Sequence, residues 1–89
     1  MEKHHEVLKQ AIAKFGHNNQ LVMVIEESAE LIKAVTKYKR WPNLTTLQDM
    51  YDEAADVLIM IEQIKLMFDC EKQIKERIDF KVNRLKNRL

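Results

Sequence analysis

The sequence of 89 residues contains only one glycine, one proline and one cysteine. So few turn-forming residues exclude a sandwich or barrel of short strands and favour long helices. A single cysteine excludes a disulfide framework and a zinc site built on cysteines. No apolar run reaches the length of about 18 residues that a membrane-spanning helix needs. The charged start MEKHHEV also lacks the apolar core of a signal peptide. We therefore expect an intracellular, cytoplasmic protein with no membrane partner.

The chain also lacks an excess of either charge. Fifteen basic and fourteen acidic residues leave a formal net charge of +1. This balance provides no bulk attraction to nucleic acid or anionic lipid, so we expect no stable nucleic-acid partner. Hydrophobic residues make up 46% of the chain, which excludes a disordered tail. A chain this short buries only roughly 60–65% of its unfolded surface, so its isolated core is marginal and association between copies is expected.

The spacing of the apolar residues predicts four helices and no strand, in a single domain of residues 1–89. Short connections make consecutive helices pack antiparallel. The expected fold is therefore an all-α, antiparallel four-helix bundle that is completed by oligomerisation. The expected helices span about 2–15, 19–40, 46–68 and 70–88. The residues expected to end or cap them are Gly16, Asn18 or Asn19, Pro42, Thr45 or Thr46, and Asp69.

The second predicted helix is apolar nearly all round, which is typical of a helix buried on more than one face. Its expected core stripe is Leu21, Ile25, Ser28, Ile32 and Val35, and its second apolar surface is Met23, Val24, Leu31 and Ala34. The expected core stripe of the third helix is Leu47, Met50, Ala54, Leu58 or Val57, Ile61 and Ile64. The fourth helix is expected to turn inward Ile74, Ile78, Val82, Leu85 and Leu89.

Five carboxylates interrupt the second apolar surface and its counterpart on the third helix. Three lie within IEESAEL and two within DEAADVL, at spacings of three and four residues that share a helix face. Like charges this close repel, and burial strengthens the repulsion, so a cation is expected to neutralise them. Oxygen ligands without nearby histidine or cysteine suit Mg²⁺, with Mn²⁺ as a substitute. The spacing alone leaves a solvated helix face as the alternative. The carboxylates are Glu26, Glu27, Glu30, Glu53 and Asp56.

The run Glu26-Glu27-Ser28-Ala29-Glu30, followed by Glu53-Ala54-Ala55-Asp56, resembles the EExxE…ExxD signature of the MazG-like, all-α NTP pyrophosphohydrolase superfamily. The resemblance covers about residues 15–89. It implies a Mg²⁺-dependent enzyme that cleaves a (d)NTP between the α and β phosphates, releasing a (d)NMP and pyrophosphate. It also implies a homodimer or homotetramer. The metal ligands it implies are Glu27, Glu30, Glu53 and Asp56, and Glu26 and Glu27 are the catalytic candidates.

Residues that bind the nucleotide are expected from several places. The fourth helix carries a strip of basic side chains, although an amphipathic helix ordinarily flanks its apolar stripe with lysine and arginine. The resemblance places a basic residue and an asparagine here. The phosphate and sugar candidates are Lys81, Asn83 and Arg84, with Lys33 and Lys37 from the second helix. The base candidates are Trp41, Phe15 and Tyr51 for stacking and Gln20 for hydrogen bonding, and His4, His5 and His17 are expected to face solvent.

Two other functions remain open from the sequence. One is a non-catalytic helical association module, in which the carboxylates form salt bridges to the basic strip of a partner chain. The other is a phosphoribosyl-ATP pyrophosphohydrolase. That activity ranks lower because the stretch Leu58-Ile59-Met60 lacks the Tyr-His pair associated with that branch.

Overall fold

The computed structural model describes residues 1–89 and contains helices only. A short 3-10 turn at Glu2–His4 leads into α1, and the four α-helices confirm the all-α prediction. The helices are α1 (His5–Phe15), α2 (His17–Arg40), α3 (Leu44–Phe68) and α4 (Glu71–Lys86). None of them combines the length and apolar character needed to span a bilayer.

The junction between α1 and α2 depends on Gly16. Its φ of 86° lies in a region that side-chain-bearing residues rarely adopt, so the predicted helix end at this glycine is confirmed. Because α2 begins immediately at His17, the prediction that Asn18 or Asn19 caps it is wrong. Asn19 instead donates from Nδ2 to the carbonyl of Phe15 at 2.7 Å, which satisfies a free carbonyl at the end of α1.

The connection between α2 and α3 is closed by a capping box. The Asn43 side chain accepts a hydrogen bond from the Thr46 backbone N–H at 2.9 Å, and Thr46 Oγ1 accepts one from the Asn43 N–H at 3.2 Å. Asn43 is therefore the N-cap, and the prediction of Thr45 or Thr46 is wrong. Asp69 adopts a left-handed conformation at the end of α3 and does not cap α4, whose N-cap is Cys70.

The main packed unit is the antiparallel pair α2 and α3. Helix α1 packs on both, whereas α4 contacts α3 alone. The Cα radius of gyration is 15.4 Å, compared with about 12 Å for a compact domain of this length. The residues Ile78, Val82 and Leu85, expected to face inward, are each more than half exposed. The single chain is therefore not a closed four-helix bundle, because α4 has no second helix to pack against.

Helix α2 packs on α3 through the opposite surface to the one predicted. Ile25 and Ile32 of the expected core stripe are 69% and 68% exposed. The residues that are buried or half-buried are those of the second apolar surface: Met23, Val24, Leu31 and Ala34. For α3 the predicted stripe is half-buried as expected, with Val57 in place of the exposed Leu58. Periodicity located both apolar surfaces of α2 but not the one that faces α3.

The buried residues include an unusual share of polar side chains. Six residues are buried, and three of them, Gln20, Glu62 and Gln63, are polar. Gln20 Nε2 donates to Gln63 Oε1 at 2.5 Å. His5 Nε2 lies 2.7 Å from Glu62 Oε1 and so ties α1 to α3. His5 is half-buried, so the expectation that it faces solvent is wrong. These bonds leave no buried side-chain polar atom without a partner.

Candidate metal centre

Three of the predicted carboxylates converge where α2 crosses α3. Glu27 comes from α2, and Glu53 and Asp56 come from successive turns of α3. One carboxylate oxygen from each lies within 4.8 Å of the other two. Spacing along α3 brings Glu53 and Asp56 to one face. Only the packing of the two helices adds Glu27, and we refer to these three residues as the carboxylate cluster.

The cluster lies on the inner, largely apolar side of the helix pair. Glu27 is half-buried on the same face of α2 as Val24 and Leu31, which lie three residues before it and four after. Glu53 is half-buried on the same side of α3 as Val57. A carboxylate held among aliphatic side chains loses part of its hydration, which disfavours its charged form. The fold therefore removes part of the water around these two carboxylates.

The electrostatics follow from this placement. Partial burial raises the pKa of Glu27, and the neighbouring Asp56, Glu53 and Glu30 carboxylates raise it further. Burial likewise raises the pKa of Glu53, followed by the repulsion from Asp56 and Glu30. None of the four ion pairs in the chain involves a member of the cluster. Proton uptake or a bound cation would relieve this repulsion.

The remaining two predicted carboxylates lie outside the cluster. Glu30 is exposed and lines the wall of an adjacent cleft together with Glu53. It is close enough to contribute to the raised pKa of Glu53 but is not within the short oxygen–oxygen distances of the cluster. Glu26 is exposed and belongs to neither the cluster nor the cleft. Its position one residue before Glu27 directs it to a different side of α2.

The adjacent cleft is almost entirely charged. It opens between α2 and the N-terminal half of α3, and Ala34 is its only apolar residue. Its charged lining consists of Glu30, Lys33, Lys37, Asp49, Asp52 and Glu53. Lys33 and Lys37, two of the predicted phosphate candidates, thus lie in the same cleft as Glu30 and Glu53. Sequence reasoning missed Asp49 and Asp52, although Asp49 lies four residues before Glu53 and Asp52 four before Asp56, a helical spacing that could have identified them.

The other predicted nucleotide-binding residues lie elsewhere in the single chain. Lys81, Asn83 and Arg84 are exposed on α4 and do not line the cleft. Gln20 is buried and its amide is bonded to Gln63. The aromatic candidates are exposed away from the cleft lining: Phe15 at the α1–α2 junction, Trp41 after α2 with the Arg40 guanidinium 5.1 Å from its ring, and Tyr51 on α3.

Comparison of the chain with protein-family models, with curated proteins and with solved structures found no match. The resemblance to the MazG-like superfamily therefore rests on the two carboxylate motifs of the sequence.

Proposed function

We propose that this chain is a Mg²⁺-dependent nucleoside triphosphate pyrophosphohydrolase of the MazG-like type, which cleaves (d)NTP to (d)NMP and pyrophosphate. The observation that carries the proposal is the convergence of Glu27, Glu53 and Asp56 from two helices. These are three of the four positions at which the motif resemblance expects metal ligands. Glu30, the fourth, lies on the adjoining wall of the cleft.

The donor set of the cluster fits a hard divalent cation. All three groups are carboxylates, their oxygens lie within 4.8 Å of one another, and no histidine or cysteine joins them. Oxygen-only donors suit Mg²⁺, with Mn²⁺ as a substitute. Glu27, Glu53 and Asp56 would hold the ion, and Glu30 would approach it from the cleft. When bound, Mg²⁺ neutralises phosphate charge and lowers the pKa of coordinated water.

The side chains around the cluster provide the remaining chemistry. Lys33 and Lys37 are one helical turn apart on the cleft wall, where their ammonium groups attract the oxygens of a polyphosphate. Hydrolysis requires a water molecule to attack the α-phosphorus as the bond to pyrophosphate breaks. Glu27, a member of the cluster, is the candidate to accept the proton of that water, whereas Glu26, the other candidate from the sequence, lies on a different side of α2.

The experiment is a pyrophosphate-release assay with a panel of standard and modified dNTPs in the presence of Mg²⁺. Glu53→Gln removes one cluster carboxylate and is expected to lower turnover by at least about 100-fold. Glu76→Gln, on the exposed surface of α4, is the matched control and should retain activity. If the unsubstituted chain releases no pyrophosphate from any nucleotide with Mg²⁺ or Mn²⁺, the proposal is wrong. Adding phosphoribosyl-ATP to the panel tests the related pyrophosphohydrolase activity.

A second candidate function is a non-catalytic association module. The observation in its favour is the extent of exposed apolar surface on α2 and α4. In such a module the carboxylates form salt bridges to the basic strip of a partner chain, so Glu53→Gln would destabilise the fold or its assembly, and no nucleotide would be cleaved. We propose a homodimer or homotetramer under either function, because one chain buries only six of its residues.

A further inference from the structure

The surface of α2 that points away from α3 is largely apolar and exposed, and only its central Ser28 is half-buried. It consists of Leu21, Ile25, Ser28, Ile32 and Val35, which we call the outer face of α2. Ile25 and Ile32 are more than two-thirds exposed, and Leu21 and Val35 are also exposed. No member of the outer face is charged. An apolar stripe about 21 Å long on a 24-residue helix is larger than the scattered apolar side chains of an ordinary surface.

The total exposed area shows how much of the chain is left uncovered. The accessible surface is 7172 Å². A compact monomer of 10.6 kDa exposes about 5,500 Å², so this chain exposes about 1,700 Å² more than its mass requires. A standard protein interface buries about 800 Å² on each partner. The uncovered surface is therefore sufficient for a stable interface, and the outer face of α2 is its longest continuous apolar part.

The outer face is nearly symmetric about its central position. Leu21 and Val35 each lie seven residues from Ser28, and Ile25 and Ile32 lie three and four residues from it. Its centre is Ser28, a small residue at which two helices can approach closely. A stripe that is nearly symmetric about its centre can pack on a second copy of itself in an antiparallel arrangement, as a two-fold axis requires.

We propose that the outer face of α2 pairs with the outer face of α2 in a second copy of this chain, antiparallel and with the two-fold axis near Ser28. Leu21 then lies opposite the partner's Val35, and Ile25 opposite the partner's Ile32. Because Glu27 faces α3, on the other side of α2, each copy keeps its own carboxylate cluster. The pairing does not depend on the proposed enzymatic activity.

Two other occupants fit the outer face less well. Helix α4 of the same chain contacts only α3, and the turn at Asp69–Cys70 holds it there. An anionic membrane requires basic residues beside the apolar stripe. The segment 17–32, which contains most of the outer face, has neither lysine nor arginine.

The first test measures assembly by sedimentation equilibrium over a range of concentrations. Ile25→Asp places a charge in the centre of the proposed interface and should raise the dimer dissociation constant by at least about 30-fold, as expected for a central interface residue. Val82→Asp is the control, because Val82 is similarly exposed, on α4. A monomeric unsubstituted chain overturns the proposal, and so does a dimer that Val82→Asp dissociates and Ile25→Asp does not.

The second test fixes the orientation and does not require a stable dissociated monomer. In a Cys70→Ser background, chains carrying Ile25→Cys and chains carrying Ile32→Cys are oxidised separately and as a mixture. The antiparallel pairing predicts a covalent dimer mainly in the mixture, since position 25 meets position 32 of the other copy. Cross-linking of each variant with itself indicates a parallel pair, and no cross-linking in any sample indicates a different interface. Either result overturns the proposal, and neither bears on pyrophosphate release.

Discussion

Glu27 and Asp56 lie on different helices, 29 positions apart in the sequence, yet their carboxylate oxygens approach within 4.8 Å. No lysine, arginine or histidine forms an ion pair with either of them. Partial burial of Glu27 raises its pKa, and repulsion from the Asp56 carboxylate at this distance raises it further. The folded chain therefore stores unfavourable electrostatic energy at this position, and a bound cation would release it.

The first prediction concerns stabilisation by magnesium. Ligand that binds only the folded state at ten times its dissociation constant adds about 1.4 kcal/mol to the free energy of unfolding. For a domain of this size this raises the melting temperature by roughly 5–10 °C. Thermal unfolding followed by circular dichroism with and without Mg²⁺ measures the shift. Glu53→Gln should lose most of it, and Glu76→Gln should retain it. An equal shift in all three chains would mean that the ion binds elsewhere.

The second prediction concerns pH in the absence of metal. The pKa values of Glu27 and Glu53 are raised above the ordinary 4.5. A group whose pKa is raised in the folded state makes its full contribution to the free energy of unfolding below pH 4.5. That contribution is lost as the pH rises through the raised pKa of the folded state. At neutral pH these two charged groups should therefore lower the urea midpoint of the metal-free chain.

The readout for this pH dependence is the difference between the unsubstituted chain and Glu53→Gln. The substituted chain should be relatively more stable at pH 7 than at pH 4, because it lacks one repelling charge at neutral pH. A difference that is constant between pH 4 and pH 7 would show that Glu53 titrates normally. At pH 7, saturating Mg²⁺ should make the unsubstituted chain the more stable of the two, because only its carboxylate cluster is complete.

The third prediction concerns the contact between His5 and Glu62. The hydrogen bond from His5 lowers the pKa of Glu62, and Lys65 lowers it further against the opposing effect of burial. A lowered pKa stabilises the fold above pH 4.5, and the contribution is lost as the pH falls through the lowered folded value. His5→Ala leaves the Glu62 carboxylate buried without this partner and should cost about 1–3 kcal/mol at neutral pH.

His4→Ala is the natural control for this contact, because His4 is the adjacent histidine and is exposed. The free energies of unfolding of the two variants, measured with denaturant, should differ clearly at pH 7. This difference should shrink as the pH falls below 4.5. Equal stabilities for His4→Ala and His5→Ala at pH 7 would show that the bond to Glu62 contributes nothing.

The fourth prediction concerns Gly16. A Cβ at this position would meet no atom within 4 Å, so crowding is not the obstacle to substitution. The obstacle is the backbone, since its φ of 86° strains any residue with a side chain. Gly16→Ala should therefore reduce the free energy of unfolding by about 1–3 kcal/mol. Lys14→Ala, on the exposed surface of α1, should change it by less than about 0.5 kcal/mol. A neutral Gly16→Ala would indicate that α1 and α2 can rearrange at this junction.

Local features of the chain were predictable to different degrees. Helix existence followed from apolar periodicity, and the end of α1 followed from the one residue that tolerates a positive φ. Capping residues were less predictable. Asn43, Thr45 and Thr46 are all good N-caps in isolation, and the choice of Asn43 depends on how the chain leaves Pro42. The polar pairs in the core were not predictable, because a histidine and a glutamate 57 positions apart carry no local signal.

The sequence by itself determined that the protein is helical, that α2 has two apolar surfaces, and that carboxylates at three- and four-residue spacing share a face on each of two helices. These properties depend on side chains within a few turns of one another. Only the tertiary structure decided which surface of α2 meets α3, and with it that Glu27 joins Glu53 and Asp56 while Ile25 and Ile32 remain exposed. The physical reason is that two apolar surfaces on one helix are nearly equal in burial energy. The choice between them depends on the shape and charge of the neighbouring helix, which local periodicity does not contain.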